Sequence, residues 1–320
     1  MHRDQYLFLS LMTHHPSPGH GVTGWISALG ALLALVNVGA TCTPSAEQQL
    51  RAARDAMYRG DARSAIVHYE QAVRIAADDD SRGGQILRAR ALREAADASY
   101  LDLREPERAA GLYRELIQTE PATAEALEAR VSLARILRVD FRDLRGAIVE
   151  LTAAIARQPP GTARLRYELA KLYFELGDYA QCVLEAEALL ERHAAESLAD
   201  RATFLKAEAL AMIEGRGSEA IRVLEELLKR FPSSELQPHA LYELGRMRAD
   251  AGDLEAAIEE WVRSLKTHPH PEFIQSAIVR ARKRLDPGSS PSDHIAAAIL
   301  ANAVLDGLST LRRANLLDEP

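Results

Sequence analysis

The chain has 320 residues, a formal net charge of −7 at pH 7 and 27% charged side chains. This acidic balance gives no electrostatic support for nucleic-acid binding, and two cysteines are too few for a disulfide framework. Alanine, leucine, arginine and glutamate dominate, which is typical of an all-helical protein.

Residues 1–45 are predicted to form a leader and linker. Within them, Trp25 to Ala40 is apolar over 16 residues, which is short for a bilayer-spanning helix of about 20 residues. Its length suits the apolar region of a secretory signal, and small residues precede a cleavage point after Ala40. We therefore expect an export signal. The alternatives are that the segment is an uncleaved inner-membrane anchor, or that it is neither a signal nor an anchor.

Cys42 follows that cleavage point by two residues. The arrangement resembles a bacterial lipoprotein signal, in which the first mature residue is a lipidated cysteine. The resemblance implies a lipid on Cys42 as the link to a membrane. It favours the periplasm or the inner face of the outer membrane, with inner-membrane anchoring as the alternative.

Residues 46–271 contain six copies of one pattern. A small residue is followed four places later by a larger residue in five copies, and seven places later by leucine, alanine or serine. Successive small residues are separated by 44, 38, 35, 38 and 37 residues. These small residues are Ala65, Ala109, Ala147, Cys182, Ala220 and Ala257. A closing proline follows in four copies, at Pro121, Pro159, Pro232 and Pro269.

This period and pattern resemble the tetratricopeptide repeat. The resemblance implies an all-α fold, a right-handed α-solenoid of about six helix hairpins that stack on their neighbours. Residues 272–320 are then predicted to be C-terminal capping helices, over Glu272 to Leu285 and Asp293 to Leu316. The second of these either covers the last repeat or docks a partner.

Turns and caps can be predicted inside the array. Gly-Asp pairs at Gly60, Gly177 and Gly252 predict a left-handed glycine followed by an aspartate cap. Two copies carry arginine where this glycine is common. Further predictions are Pro106 in a first helical turn, Asp143 and Ser218 as N-caps, and an exposed loop over Asp78 to Gly84. The arginines are Arg104 and Arg142.

The family resemblance also implies a binding groove lined by the first helix of each repeat. Side chains at five places of that helix would face the groove, and packing between repeats is the alternative for each. The groove would be aromatic and apolar with flanking cations, which suits a protein or peptide segment. The candidate groove residues are Arg164, Tyr167, Lys171, Phe174, Leu205, Met212, Tyr242 and Arg246.

Catalytic and metal-binding motifs are not evident in the sequence. It has no glycine-rich phosphate loop, HExxH or CxxC motif. Cys182 fits a small apolar position rather than a redox site, and His268 and His270 alone are too few for zinc. We therefore predict no catalytic residues, no metal, no cofactor and no cluster of acids with perturbed pKa values.

These observations predict a non-enzymatic adaptor that binds protein segments. The junction from Lys229 to Gly245, KRFPSSELQPHALYELG, resembles tetratricopeptide proteins of the bacterial envelope, of the outer-membrane assembly or Tol-Pal-associated type. The resemblance implies a role in the cell envelope. Two alternatives remain: an inner-membrane-anchored protein that faces the cytoplasm, and a glycan-acting enzyme subunit that uses groove carboxylates.

Overall fold

The structure is a computed structural model that describes residues 44–192 and 197–286. The predictions for the leader, for Cys42 and for the helix over 293–316 lie outside these residues. Thirteen α-helices and no strand occur in the described part of the chain. The helices are α1 Ala46–Tyr58, α2 Ala62–Ala77, α3 Arg82–Leu101, α4 Pro106–Thr119, α5 Ala124–Val139, α6 Leu144–Ile155, α7 Thr162–Leu176, α8 Tyr179–Arg192, α9 Ala199–Ala211, α10 Gly217–Arg230, α11 Gln237–Asp250, α12 Leu254–Leu265 and α13 Pro271–Leu285.

The helices form six successive hairpins, α1/α2 to α11/α12, and α13 follows the last one. Each helix packs on the next along the chain. Close packing between next-but-one helices occurs for α1 with α3, α3 with α5 and α7 with α9. All of these are first helices of their hairpins, so the first helices form the more closely spaced layer. The predicted all-α array of helix hairpins is confirmed for these residues.

The small residues of the repeat explain how tightly the hairpins pack. All six lie in the second helices, and each is 0% exposed. A side chain of this size lets the backbones of two crossing helices approach closely. In five of the six hairpins a larger buried residue four places later fills the neighbouring space. The six small residues are Ala65, Ala109, Ala147, Cys182, Ala220 and Ala257.

The turn inside each hairpin uses one left-handed residue, whether or not it is glycine. Gly60, Gly177 and Gly252 have φ of 77°, 82° and 92°, as the Gly-Asp pairs predict. Arg104 and Arg142 take the same place with φ of 56° each. This conformation strains a residue with a Cβ, so the second and third hairpins keep the turn at a cost in backbone energy.

Side-chain caps begin most of the second helices. The carboxylate of Asp61 accepts the Ser64 N–H, and that of Asp253 accepts the Ala256 N–H, each at 3.1 Å. The predicted Asp143 cap is confirmed, because its carboxylate accepts the Gly146 N–H at 2.8 Å.

The prediction that Ser218 caps α10 is wrong. Helix α10 begins at Gly217, and its N-cap residue is Arg216, whose side chain makes no capping hydrogen bond. The Arg216 guanidinium instead pairs with the Glu219 carboxylate at 2.7 Å. Ser218 therefore lies inside the first turn of the helix.

The exposed loop predicted over Asp78 to Gly84 is shorter than expected. Helix α3 begins at Arg82 and includes both glycines, and the Ser81 hydroxyl caps it by accepting the Gly84 N–H at 3.1 Å. Pro106 stands at the start of α4, as predicted. Among the described helices, none combines the length and apolarity needed to cross a membrane.

Candidate functional site

The candidate site lies on the face formed by the first helices, which we call the first-helix face. Three of these helices, α7, α9 and α11, carry the same pattern of side chains on it. A basic residue stands three places before an aromatic residue, and a charged residue stands four places after it. Positions spaced by three and four residues share one face of a helix. The three sets are Arg164, Tyr167 and Lys171; Arg201, Phe204 and Glu208; and His239, Tyr242 and Arg246.

Equivalent residues in these sets are separated by 37 and then 38 residues along the chain. The aromatic members thus form a series of three rings on successive hairpins, which we call the ring ladder: Tyr167, Phe204 and Tyr242. All three rings are half-buried, so each keeps part of its surface available to a ligand.

A cleft opens between the first two rungs of the ladder. Its volume is about 780 Å³, and Tyr167, Phe204 and Leu205 form its apolar lining. The loop after α10 closes one side with Phe231 and Pro232. The remaining lining residues are Ser197, Asp200, Arg201, Glu208, Arg230, Ser233, Ser234, Glu235 and Leu236. The cleft therefore has an apolar floor and a polar, charged rim.

The Tyr167 ring is held by packing on two sides and by a nearby cation. Its ring packs on the cores on both sides, and the Lys171 ammonium lies 5.6 Å from the ring centroid. The same ammonium contacts the Glu168 carboxylate at 3.3 Å. Burial raises the pKa of the Tyr167 hydroxyl, with smaller effects from neighbouring charges that include Arg201 and Glu208. The phenol is therefore neutral and can donate a hydrogen bond at physiological pH.

Glu208 is the unusual acid of this face. Burial raises the pKa of its carboxyl to about 7, the charge of Glu243 adds to the effect, and Arg246 opposes it. The sequence predicts no cluster of perturbed acids in a cleft, and Glu208 is a single perturbed acid in the first cleft. Because it titrates near neutrality, the charge on this rung changes in the physiological range.

The third rung is held by its own helix and by α12. The Arg246 guanidinium donates to Glu243 at 2.8 Å and to Asp250 at 3.1 Å. The Tyr242 ring lies 6.5 Å from that of Trp261, whose indole N–H donates to the Tyr242 carbonyl at 3.0 Å. Contacts with both helices of the hairpin therefore fix this rung.

A second cleft, of about 600 Å³, lies between α5 and α7. Its lining combines Val131, Val139 and Leu172 with the guanidinium-bearing residues Arg135 and Arg164. The first-helix face differs here from the region around the ring ladder, because most charged side chains of α3 and α5 form ion pairs or ring contacts with other residues of the array. Such contacts include Arg93 with Glu128 at 3.2 Å, Arg138 with Glu168 at 3.5 Å, Arg138 with Glu175, and Arg135 at 5.5 Å from the Tyr100 ring.

The remaining candidate groove residues are distributed differently. Phe174 makes an edge-on contact with Tyr179, with ring centroids 5.3 Å apart, and packs into the hairpin core. Leu205 is 7% exposed and lines the first cleft, whereas Met212 is 56% exposed at the end of α9. Tyr167 and Leu205 therefore line the first cleft together, with the Lys171 ammonium over the Tyr167 ring. Phe174 packs against the same core as these two residues but does not line the cleft.

Sequence reasoning missed Phe204 and Glu208. The small residues of the repeat define the register of the second helices only, and the turn between α9 and α10 is longer than the turn between α11 and α12. The extra length shifts the first helix of the fifth hairpin relative to the second. Alignment on the first helices, with its separations of 37 and 38 residues, contains the signal that finds both residues.

Histidines gather beside the third rung. The His239 and His268 ring centroids are 4.7 Å apart, and those of His268 and His270 are 6.4 Å apart. Burial lowers the pKa of His268, and the neighbouring His239 lowers it further. Over residues 44–192 and 197–286, no group of three or more His, Cys, Asp or Glu side chains has the arrangement of a metal site.

Comparison with known proteins agrees with the described architecture. Residues 136–181, 167–235 and 210–271 match the family model for the tetratricopeptide repeat. No match is found among curated protein sequences.

Solved structures include several similar chains. The C-terminal part of a TPR repeat-containing protein from Cytophaga hutchinsonii has a TM-score of 0.56 at 14% identity, covering 79% of this chain and 95% of that one. A tetratricopeptide repeat protein from Parabacteroides merdae has a TM-score of 0.44 at 15% identity, covering 74% and 98%. YrrB, described as a TPR protein with an unusual peptide-binding site, has a TM-score of 0.47 at 18% identity, covering 59% and 91%. The Cytophaga structure shows that the two chains share the tetratricopeptide-repeat fold.

Proposed function

We propose that this protein is a non-enzymatic adaptor that binds a segment of a partner protein on its first-helix face. Tetratricopeptide folds generally serve as interaction scaffolds. The observation that carries the proposal is the set of three side chains that recurs on α7, α9 and α11. Half-buried rings with adjacent cations are the groups that provide most of the energy in protein interfaces.

The first cleft supports this function by its composition. Tyr167 and Phe204 offer ring surface beside the buried Leu205, and Arg201 and Glu208 at the rim offer polar contacts that orient a chain. A solvent-filled cleft with an apolar floor and a few polar groups is a common form of ligand site.

Peptide-library selection tests the proposal. Random peptides displayed on phage are selected on the purified full chain and then rescreened on the Tyr167→Ala/Phe204→Ala double variant. Tyr58→Ala is the matched control, because Tyr58 is 95% exposed on α1 and lies outside the ladder. We expect enriched peptides to lose at least about tenfold in affinity on the double variant and to keep it on the control. If the enriched peptides bind the double variant as tightly as the wild type, the proposal is contradicted.

We further propose that the adaptor works in the bacterial cell envelope, exported through residues 1–45. Support comes from the apolar stretch Trp25 to Ala40, the cysteine that follows it and the junction from Lys229 to Gly245. Mass spectrometry of the mature N-terminus tests this step. A start at Thr41, or a lipid on Cys42, is the expected result. An intact Trp25 helix retained in the inner membrane favours the anchored alternative.

A further inference from the structure

The second cleft, between α5 and α7, has a lining that specifies the chemistry of a ligand. We propose that it binds an internal acidic segment of a partner protein. The segment inserts one large apolar side chain into the cleft and places an aspartate or glutamate on each side of it, where Arg135 and Arg164 receive the carboxylates. This inference rests on the proposed function and deepens it, because it names the chemistry of a partner segment.

The second cleft lies at a gap in the layer of first helices. Helix α3 packs on α5, and α7 packs on α9, but α5 and α7 are not among the pairs in close contact. The space between them is about 600 Å³, within the range of roughly 300–1,000 Å³ that is typical of ligand pockets. The cleft therefore has room for a large side chain and the backbone that carries it.

The floor of the second cleft is apolar. Leu151 of α6 and Leu172 of α7 are buried, and Val131 and Leu165 are half-buried beside them. Val139, at the end of α5, also lines the cleft and is exposed. An apolar side chain of a ligand would remove this surface from water, which is favourable roughly in proportion to the area covered.

Four charged side chains line the second cleft, and two of them are balanced within the array. The Glu168 carboxylate lies 3.5 Å from the Arg138 guanidinium and 3.3 Å from the Lys171 ammonium. Arg138 also donates to the Glu175 carboxylate at 3.0 Å. Arg138 and Glu168 therefore have little charge to offer a ligand. The four residues are Arg135, Arg138, Arg164 and Glu168.

Arg135 and Arg164 are the lining cations without a carboxylate partner. Both are exposed, and neither forms an ion pair with a carboxylate of residues 44–192 and 197–286. The Arg135 guanidinium lies 5.5 Å from the Tyr100 ring centroid, a contact that supplies no counter-charge. The Asp140 carboxylate accepts the Tyr100 hydroxyl at 3.0 Å and does not pair with Arg135. The lining thus combines two unbalanced positive charges with an apolar floor.

The placement of these two cations selects the ligand. Arg135 belongs to α5 and Arg164 to α7, so each of the two helices that border the cleft carries one. A guanidinium binds a carboxylate through paired N–H donors, and cations on two different helices match two separate carboxylates. An apolar side chain between those carboxylates matches the apolar floor. An internal segment supplies all three groups from side chains, and a basic segment is disfavoured by like-charge repulsion.

Fluorescence anisotropy with the full chain tests the proposal. The probe is a labelled peptide, Gly-Glu-Glu-Leu-Glu-Glu-Gly, with an acetylated N-terminus and an amidated C-terminus, so that side chains alone supply carboxylates. Three comparison peptides replace the glutamates by glutamine, the glutamates by lysine, or the leucine by alanine. We expect each of them to bind at least about fivefold more weakly than the probe. A fourth peptide, with glutamines and a free C-terminal carboxylate on its leucine, should also bind more weakly.

Variants at exposed positions locate the binding. Arg135→Gln and Arg164→Gln should each weaken the probe about threefold or more, because each removes one charge-assisted contact. The control Arg114→Gln removes the same charge from an exposed position on α4, outside the cleft, and should leave the affinity unchanged.

A second pair of variants tests the apolar lining, and a charge reversal tests the polarity. Val139→Ser should weaken the probe, whereas Val149→Ser, at an exposed position of α6 outside the lining, should not. The double variant Arg135→Glu/Arg164→Glu should bind the lysine peptide more tightly than the probe. Circular dichroism melts verify the fold of each variant.

Three results would overturn the inference. The glutamine peptide binds wild type as tightly as the probe, the probe is unaffected by Arg135→Gln and Arg164→Gln, or the peptide with the free C-terminal carboxylate equals the probe. The proposed function survives any of these if library-selected peptides still depend on Tyr167 and Phe204. It fails separately if those peptides bind the Tyr167→Ala/Phe204→Ala variant as tightly as wild type.

Discussion

Gly245 in α11 is predicted to resist replacement by alanine. A Cβ added there would lie 2.6 Å from Nε1 and 2.7 Å from Cδ1 of Trp261, and 2.9 Å from the Ala257 carbonyl oxygen. The ring is 5% exposed and its N–H donates to the Tyr242 carbonyl at 3.0 Å. Neither the buried ring nor the backbone oxygen can give way without loss of packing.

The magnitude follows from two opposing effects. Replacing a helical glycine by alanine is worth up to about 1 kcal/mol in helix propensity. Overpacking in a tight core typically costs about 1–3 kcal/mol and occasionally more, and the Trp261 hydrogen bond is strained as well. After the propensity gain is subtracted, we expect Gly245→Ala to lower the free energy of unfolding by about 0.5–2 kcal/mol.

Gly111 provides the matched control, because it lies in the interior of α4, is exposed, and has nothing within 4 Å of an added Cβ. Gly111→Ala should stabilise the chain by about 0.5–1 kcal/mol. The assay is urea denaturation of wild type and both variants, followed by circular dichroism at 222 nm. A Gly245→Ala variant as stable as Gly111→Ala would refute the packing argument.

Three further predictions concern a turn, a thiol and an acid. Arg104→Gly should raise the free energy of unfolding by about 0.5–1 kcal/mol, and with it the melting temperature, because glycine adopts the positive φ without strain. The control Arg114→Gly, in an exposed part of α4, should lower the melting temperature. Equal shifts in the two variants would refute the strain at Arg104. Burial raises the pKa of the Cys182 thiol to about 12, so in a variant without the other cysteine Ellman's reagent at pH 8 should react only after urea is added, and rapid native reaction would contradict this. The pKa of Glu208 rises from its ordinary value of 4.5 to about 7, so the unfolded state loses its proton first and stability falls as pH rises between these values. After allowance for partial exposure the fall is about 1–2 kcal/mol. Urea midpoints measured at pH 5 and 8 should show this loss of stability in wild type and in the exposed control Glu115→Gln, but not in Glu208→Gln. An unchanged pH dependence in Glu208→Gln would refute the role of Glu208.

The second helices were the most predictable part of the chain. A crossing of two helices at short distance tolerates only a small residue, so Ala65, Ala109 and Cys182 mark their positions without knowledge of the fold. The left-handed turn was harder to locate where Arg104 and Arg142 occupy it, because backbone conformation there is imposed by the surrounding hairpin rather than by the residue.

The first-helix face was less predictable for a physical reason. A turn can lengthen at the surface with little loss of stability, and the turn before α10 did so without changing the packing of Ala220. Register therefore cannot be carried from a second helix back to its first helix, and Phe204 and Glu208 were missed. The predicted Ser218 cap is wrong because of the same turn: helix α10 already begins at Gly217, after Arg216, whose side chain makes no capping hydrogen bond.

In the described part of the chain, helices pack chiefly on their next and next-but-one neighbours, which bears on how the chain reaches its native state. Packing partners are close in sequence, which gives the array a low relative contact order and favours rapid folding. A growing polypeptide needs only the following helix to complete each hairpin's packing. The protein can therefore acquire its structure progressively from the N-terminal side during translation, with an exposed apolar surface confined to the most recently made segment.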